Sequence, residues 1–286
     1  MPIAILESRA VVRVAGADAV HFLDNLLTAR TPAPGGARYA ALLTPQGKIV
    51  ADMIVAATEA GFRLDVPRRA LADLVKRLTL YRLRAKVEIG ELPGVGVAVA
   101  WGGAEPVVDA FAYDDPRLPG EPAPLGRRFL LPAAEAVSHG ALPEAAWQAH
   151  RLALGVPEGG ADFLYGDAFP HEADIDQLGG IDFDKGCYVG QEIVSRMQHR
   201  GTARSRIVPF AVSGAQPGEG SAITAGAKEI GRVGSGAEGR VLGLVRLDRL
   251  ADALAAGLAV EAAGATLRPA PLGWARFPIP GTESAA

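Results

Sequence analysis

The chain of 286 residues uses cysteine once, as Cys187, in the stretch GGIDFDKGCYVGQEIVSRMQHRG. A lone thiol can serve as nucleophile, metal ligand or redox-sensitive group, or it can be a small apolar residue in a core. Lys185 stands two residues before the cysteine, and a helix is expected to start just after it. A nearby ammonium and a helix N-terminus both favour the thiolate over the thiol, whose ordinary pKa is about 8.5. Asp182 and Asp184 work against that through like charge. Gly186 and Gly190 let the backbone turn sharply and come close to a neighbour or ligand.

Few residues could act with the sulfur. The histidines are His21, His139, His150, His171 and His199. His199 falls at the far end of the expected helix, whereas His171 lies in a loop that could fold back. A cysteine hydrolase needs a base within about 3 Å of the sulfur, and nothing in the pattern demands one. No ligand pairs show metal spacing. One cysteine makes neither an internal disulfide nor a Cys-rich zinc or iron–sulfur site, so any cluster would be shared with a partner or a small thiol. A second feature is PRRALADLVKRLTLYRLRAK, where Arg68, Arg69, Lys76, Arg77, Arg82, Arg84 and Lys86 face one acid, Asp73. It could meet a polyanion or an acidic partner, or it could be a solvated helix face. PQGKIV lacks the earlier glycine and the Ser/Thr of a phosphate loop, and HEAD at 171–174 lacks the second histidine of a zinc-protease motif.

The elements that carry these residues follow from periodicity. RAVVRVAG, the two runs around Pro45-Gln46-Gly47-Lys48, GFRLDVP, AKVEIGEL, GVGVAVAWG and RRFLLP read as strands. GADAVHFLDNLLTA reads as a helix with Asp18 as N-cap and with Phe22, Leu23, Leu26 and Leu27 on one side. RRALADLVKRLTLYR is an amphipathic helix with Ala70, Leu71, Leu74, Val75 and Leu78 inward. Residues 102–127, dense in Pro, Gly and Ala, read as loops. LPEAAWQAHRLALGVP and VGQEIVSRMQH are further helices, the second with Ile193, Val194 and Met197 on its apolar side. Past Gly201, short β-type runs split by Gly-rich turns predict a small antiparallel barrel with one helix at RLADALAAG. Hydrophobic residues make up 49% and charged residues 21%, as in an ordinary globular protein, and the net charge of −3 gives no footprint for nucleic acid. The N-terminus shows no signal or transit peptide and no run is long enough to span a membrane, so a cytoplasmic, reducing compartment is expected.

Lys185-Gly186-Cys187-Tyr188-Val189-Gly190-Gln191-Glu192 resembles the signature of the YgfZ family. The flanking RLALGVPEG, FPHE, LGGIDFDKGC and SRMQHRG, with GADAVHFLDNLLT, LLTPQGKIVADMIV and LYRLRAKVEI, extend the resemblance over nearly the whole chain. That family is related to the glycine-cleavage T-protein, an aminomethyltransferase that uses tetrahydrofolate. The resemblance implies an α+β fold built as a three-part ring around a central ligand hole. Residues 1–45 with 135–202 would form a discontinuous first part, 46–134 a second, and 203–280 a C-terminal antiparallel β-barrel. It implies support of [4Fe–4S] enzymes, with Cys187 as a functional thiol and Lys185 beside it. Tetrahydrofolate or a derivative would be the cofactor, with no tightly held metal. Asp52, Tyr81, Glu172, Gln191, Glu192 and Arg196 are its expected folate-binding residues. The implied partners are an A-type iron–sulfur carrier protein or client [4Fe–4S] enzymes, with neither nucleic acid nor membrane, and a monomer when isolated. A true one-carbon transferase and a non-catalytic adaptor for a carrier are the alternatives. The chain departs from the related T-protein at Ala153, where a pterin-binding Glu stands. It departs from the usual family pattern at Thr28-Ala29-Arg30 and at Asp174.

Overall fold

A computed structural model describes residues 2–103, 110–132, 142–201 and 203–282. His139 lies outside them. The chain divides into two compact units, residues 1–147 with 178–195, and residues 148–177 with 196–286.

The first unit contains two antiparallel sheets. In chain order its strands are β1 (Ile3–Ile5), β2 (Arg9–Ala15), β3 (Ala37–Leu43), β4 (Ile49–Thr58), β5 (Gly61–Pro67), β6 (Glu88–Glu91), β7 (Val95–Ala100), β8 (Phe111–Asp114) and β9 (Arg127–Pro132). One sheet runs β3-β4-β5-β2-β6 and the other β1-β7-β9-β8. Strands β2, β4 and β5 are buried along nearly their whole length, as expected for strands covered on both faces. Strand β8 corrects the expectation of loops across 102–127. Its four residues lie among Pro and Gly, where too little alternation remains to be read.

Polar residues are also buried here. Arg9 donates to Asp65 at 2.6 Å, Arg128 reaches Asp65 at 2.7 Å and Asp115 at 2.9 Å, and Arg117 meets Asp115 at 2.7 Å. Tyr113 donates to Asp65 at 3.1 Å, and Tyr39 donates to Asp52 at 3.0 Å beneath the Arg117 guanidinium. Three cations thus meet two carboxylates, Asp65 and Asp115, all of them nearly inaccessible to water. Burial alone would raise Asp65, yet Arg9 and Arg128 hold it below the usual carboxylate value.

Helix α1 (Ala19–Asp24) is shorter than expected, and Asp18 does not cap it with its side chain. Its carboxylate accepts the Lys86 N–H at 2.7 Å instead. Phe22, Leu23, Leu26 and Leu27 are all buried, the last two in the turn after the helix. Helix α2 (Leu71–Arg82) follows a 3-10 turn, Arg68–Ala70. The turn buries Ala70 and the helix buries Leu74 and Leu78, while Leu71 and Val75 stay half-exposed at its margin.

The chain enters the second unit within α3 (Glu144–Ala153), returns to the first between Gln177 and Leu178, and enters the second again within α4 (Gln191–Arg200). This unit holds the closed barrel β10-β13-β12-β11-β14-β15. Its strands are β10 (Ser205–Ser213), β11 (Ala222–Ala225), β12 (Lys228–Ala237), β13 (Arg240–Arg246), β14 (Val260–Ala262) and β15 (Ala265–Pro269), with α5 (Leu247–Ala255) after β13. Val208, Phe210, Ile223, Val241, Val245 and Leu267 fill its core. Register shifts at Ile223/Thr224 and Val233/Gly236 supply the local bends that closure needs. Gly243 leaves room for Ile223 and Phe210, since a Cβ there would lie 2.5 Å from the Ile223 side chain.

Candidate functional site

The cysteine loop is built against two segments far away in sequence, all within the first unit. Thr28, fully buried, donates to the Gly180 carbonyl at 2.5 Å and accepts the Ala41 N–H at 2.8 Å. The Asp182 N–H returns to the Thr28 carbonyl at 3.0 Å. Arg30 donates to the Asp184 carbonyl at 2.5 Å and reaches the Asp182 carboxylate at 3.4 Å. Asp182 closes a local turn by accepting the Asp184 N–H at 3.1 Å. Thr28, Ala29 and Arg30 therefore tether the loop, a role visible only once residues some 150 apart meet.

Lys185 completes this attachment. It is 7% exposed, and its ammonium donates to the carbonyls of Leu27 at 2.7 Å and Ala29 at 3.2 Å. The same ammonium lies 5.3 Å from the centre of the Tyr188 ring, which is also buried. Burial pulls the lysine below its ordinary pKa, and the Asp24 and Asp182 carboxylates oppose that. After Tyr188 the chain turns at Gly190 (φ +82°), where a Cβ would sit 2.6 Å from the Thr44 carbonyl oxygen. Only glycine lets the loop pass this close to the β3–β4 turn and enter α4.

Cys187 itself is exposed and makes no disulfide. Phe183 and Gly186 beside it are exposed as well. Cys187 is thus not a small apolar residue in a core: the anchors are buried and the thiol is presented to solvent. Among the described residues no group of three or more His, Cys, Asp and Glu side chains is placed to hold a metal ion.

The other expected residues are dispersed. Asp52 is 2% exposed in the middle of β4, opposite Ala41, and accepts the Tyr39 hydroxyl. Tyr39 had no signal in the sequence beyond its place in a strand. Tyr81 is half-buried in α2. Gln191, half-buried, and Glu192, exposed, open α4, and Arg196 is exposed one turn on. Ile193 and Met197 are half-buried and Val194 fully buried, on the expected side of that helix.

In the second unit, Glu172 accepts the Phe169 N–H at 3.0 Å. His171 is buried and its Nε2 meets the Gln198 side-chain oxygen at 3.1 Å, while burial lowers the imidazole below its ordinary pKa. Arg206 gathers the His171 carbonyl at 2.6 Å, Asp176 at 2.6 Å and Asp174 at 3.2 Å. The Asp174 Oδ2 has no hydrogen-bond partner among the described residues. Its burial raises that carboxyl well above the usual range despite Arg206. Ala153 is exposed at the end of α3.

Comparison with known proteins places these features. Residues 204–277 match the CAF17 C-terminal beta-barrel domain. The chain is 35% identical over 272 residues to the mitochondrial "Iron-sulfur cluster assembly factor IBA57 homolog" of Chaetomium globosum, covering 83% of this chain and 62% of that protein. It is 34% identical over 234 residues to the protein of the same name from Mycosarcoma maydis, covering 73% of this chain and 57% of that one. The human "Iron-sulfur cluster assembly factor IBA57, mitochondrial" is 32% identical over 266 residues, with 81% of this chain and 73% of the human one covered. The chain thus spans about three-fifths of the length of the two fungal relatives.

A crystal structure of glycine cleavage system aminomethyltransferase T from Bartonella henselae superposes with a TM-score of 0.72 at 16% identity, over 99% of this chain and 88% of that one. The α+β expectation, with its closed C-terminal barrel, is met as an aminomethyltransferase-type fold. The cytoplasmic location expected from the N-terminus is corrected by the relatives' names, which point to mitochondria instead. By its signature, its barrel and its identity to these proteins, the chain belongs to the YgfZ/CAF17 family, among the relatives named IBA57.

Proposed function

We propose that this chain works in iron–sulfur cluster assembly and that Cys187 is the group it offers to a cluster. The exposure of Cys187 between the buried anchors Lys185 and Tyr188 carries this reading. A rigidly rooted, solvent-facing thiol is suited to meeting another protein. One thiolate supplies one of the four ligands that a [2Fe–2S] or [4Fe–4S] cluster takes, so the rest come from a partner. An A-type iron–sulfur carrier protein or a client [4Fe–4S] enzyme fits that requirement, and the relatives named as iron–sulfur cluster assembly factors support the assembly role itself. In the step envisaged, the Cys187 thiolate replaces one carrier thiolate on the cluster, the displaced thiolate takes up the proton that the Cys187 thiol gave up, and no oxidation state changes. Phe183, exposed on the same loop, offers apolar contact area to that partner. The test is anaerobic mixing with a [2Fe–2S]-loaded A-type carrier, followed by size-exclusion chromatography with iron detection. A mixed, iron-containing complex is expected with the natural chain and is lost with Cys187→Ser. An equally populated complex with the serine variant would remove the thiol from the mechanism.

Tetrahydrofolate or a derivative is proposed as the small-molecule ligand. The observation that favours it is Asp52, a carboxylate buried mid-strand and oriented by Tyr39. Carboxylate and amide groups suit the donor and acceptor edge of a pterin. Asp52, with Tyr81, Gln191 and Glu192 of the same unit, would hold it. Bound folate would supply one-carbon carrier chemistry. Anaerobic calorimetry should give a Kd of roughly micromolar, about −8 kcal/mol, weakened by Asp52→Asn. Absence of heat with the natural chain would leave the protein interface as the whole function.

A further inference from the structure

Beyond the cysteine loop, the first unit carries a second candidate site between its two sheets. Strand residues two apart share a face. Asp65 of β5 is bonded to Arg128 of β9 and Tyr113 of β8, so this face of β5 looks onto the second sheet. Two residues along, each strand places its next side chain on the same side: Arg63 on β5, Leu130 on β9 and Phe111 on β8, with Phe111 and Leu130 paired across the strands. At Asp65 a carboxylate meets cations. At Arg63 a cation meets an apolar layer.

Arg63 is unusual on its own sheet too. It stands directly opposite Arg13 on β2, and like charges opposed across strands are destabilising. Arg13 is neutralised by Glu88 at 2.7 Å. Arg63 makes one hydrogen bond, to the Phe62 carbonyl at 3.3 Å, and no carboxylate oxygen of the described residues lies within 4.0 Å of it. Burial and the Arg13 charge both lower its pKa below the ordinary guanidinium value, though an arginine remains charged. Beside it is a half-open groove of about 670 Å³, bordered by Val95, Phe111 and Leu130, and by Ala57 and Glu59 near the β4–β5 turn. That volume lies within the range of small-molecule sites.

We propose that this groove binds a small amphipathic monocarboxylate, its carboxylate on Arg63 and its apolar or aromatic body against Phe111, Leu130 and Val95. The ligand supplies the anion that the fold omits opposite Arg13. Glu59 at the lip disfavours a second negative charge, which selects monocarboxylates over phosphates and dicarboxylates. The site shares no residue with the cysteine loop or with the residues assigned to folate.

The test is calorimetric titration of the full chain with 2-naphthoate, using neutral 2-naphthylmethanol as the matched control. One-site, saturable naphthoate binding is expected. It should weaken by about tenfold or more in Arg63→Gln, as for loss of a charge-assisted hydrogen-bonded pair, and recover in part in Arg63→Lys. Naphthylmethanol should bind weakly and equally to all three proteins. Lack of saturable naphthoate binding to the natural chain overturns the proposal, as does equal affinity for the natural chain and Arg63→Gln.

Discussion

The Lys185 ammonium lies 2.7 Å from the carbonyl oxygen of Leu27, a residue 158 positions away in the chain. The lysine of the motif is therefore a staple that holds the cysteine loop to the turn after α1. Lys185→Met strands the Leu27 and Ala29 carbonyls in a buried place and should cost about 1–3 kcal/mol of stability, read as a lower Tm. The alkylation rate of Cys187 separates this role from thiol activation. A lysine that stabilised the thiolate would change the rate by about tenfold for each pKa unit it supplied. Iodoacetamide kinetics on folded protein should instead show a change of no more than about twofold.

Asp174 predicts a pH dependence of stability. Its φ of +57° is one that Asp and Asn tolerate, so Asp174→Asn keeps the backbone. Burial raises the folded carboxyl well above its ordinary value, with Arg206 and Asp176 the charged groups around it. Between the unfolded value, about 4, and that raised value the folded chain binds more protons than the unfolded one. Stability from this group is then complete at low pH and lost as pH rises through the window. The asparagine variant lacks that loss. Its Tm should match the natural chain near pH 4 and exceed it at pH 7. A constant difference across pH would show that Asp174 does not titrate there.

These two side chains show what the sequence made legible and what it hid. The KGCYVGQE stretch, the barrel past Gly201 and helices α2, α3 and α4 could be read from local pattern, since periodicity and turn residues are short-range signals. The tether Thr28–Gly180 and the pairs Arg9–Asp65 and Arg128–Asp65 join residues 152, 56 and 63 positions apart. Nothing in the spacing of an Arg or an Asp says which buried partner it meets. For the same reason the sequence shows Lys185 beside the sulfur but not the Leu27 and Ala29 carbonyls to which its ammonium donates. Strand β8 was missed because four residues carry too little pattern, and Asp18 sits at the N-cap position while its carboxylate serves the Lys86 N–H.

Gly190 tests the close approach of the loop to the β3–β4 turn. Gly190→Ala introduces a Cβ 2.6 Å from the Thr44 carbonyl oxygen at a φ of +82°, so both contact and conformation are strained. Backbone must shift at both places, and a cost of about 2–3 kcal/mol follows. Urea unfolding should show a lower midpoint with an unchanged slope. Alanine at Gly186, where a Cβ meets nothing within 4 Å, should cost less than half as much and serves as the control.

Arg128 should be the most sensitive position of the first unit. It is 2% exposed, bridges Asp65 and Asp115, and lies 5.6 Å from the centre of the Trp147 ring. Arg128→Met fills similar space but leaves two buried carboxylates sharing Arg9 and Arg117. Removing one partner of a buried ionic group costs roughly 3–5 kcal/mol. Removing both carboxylates as well would strand the buried Arg9 and Arg117 guanidiniums, so the triple variant Arg128→Met, Asp65→Asn, Asp115→Asn should lose more stability than the single one. The pH profile carries the sign. Asp65 and Asp115 are held below the ordinary carboxylate value, Asp65 by Arg9 first and Asp115 by Arg117, each with Arg128 second, against the opposing effect of burial. Their contribution is therefore present above about pH 4 and lost as pH falls below it. The single variant should lose more stability at pH 7 than at pH 3, and an equal loss at both would mean that Arg128 contributes through packing on Trp147 alone.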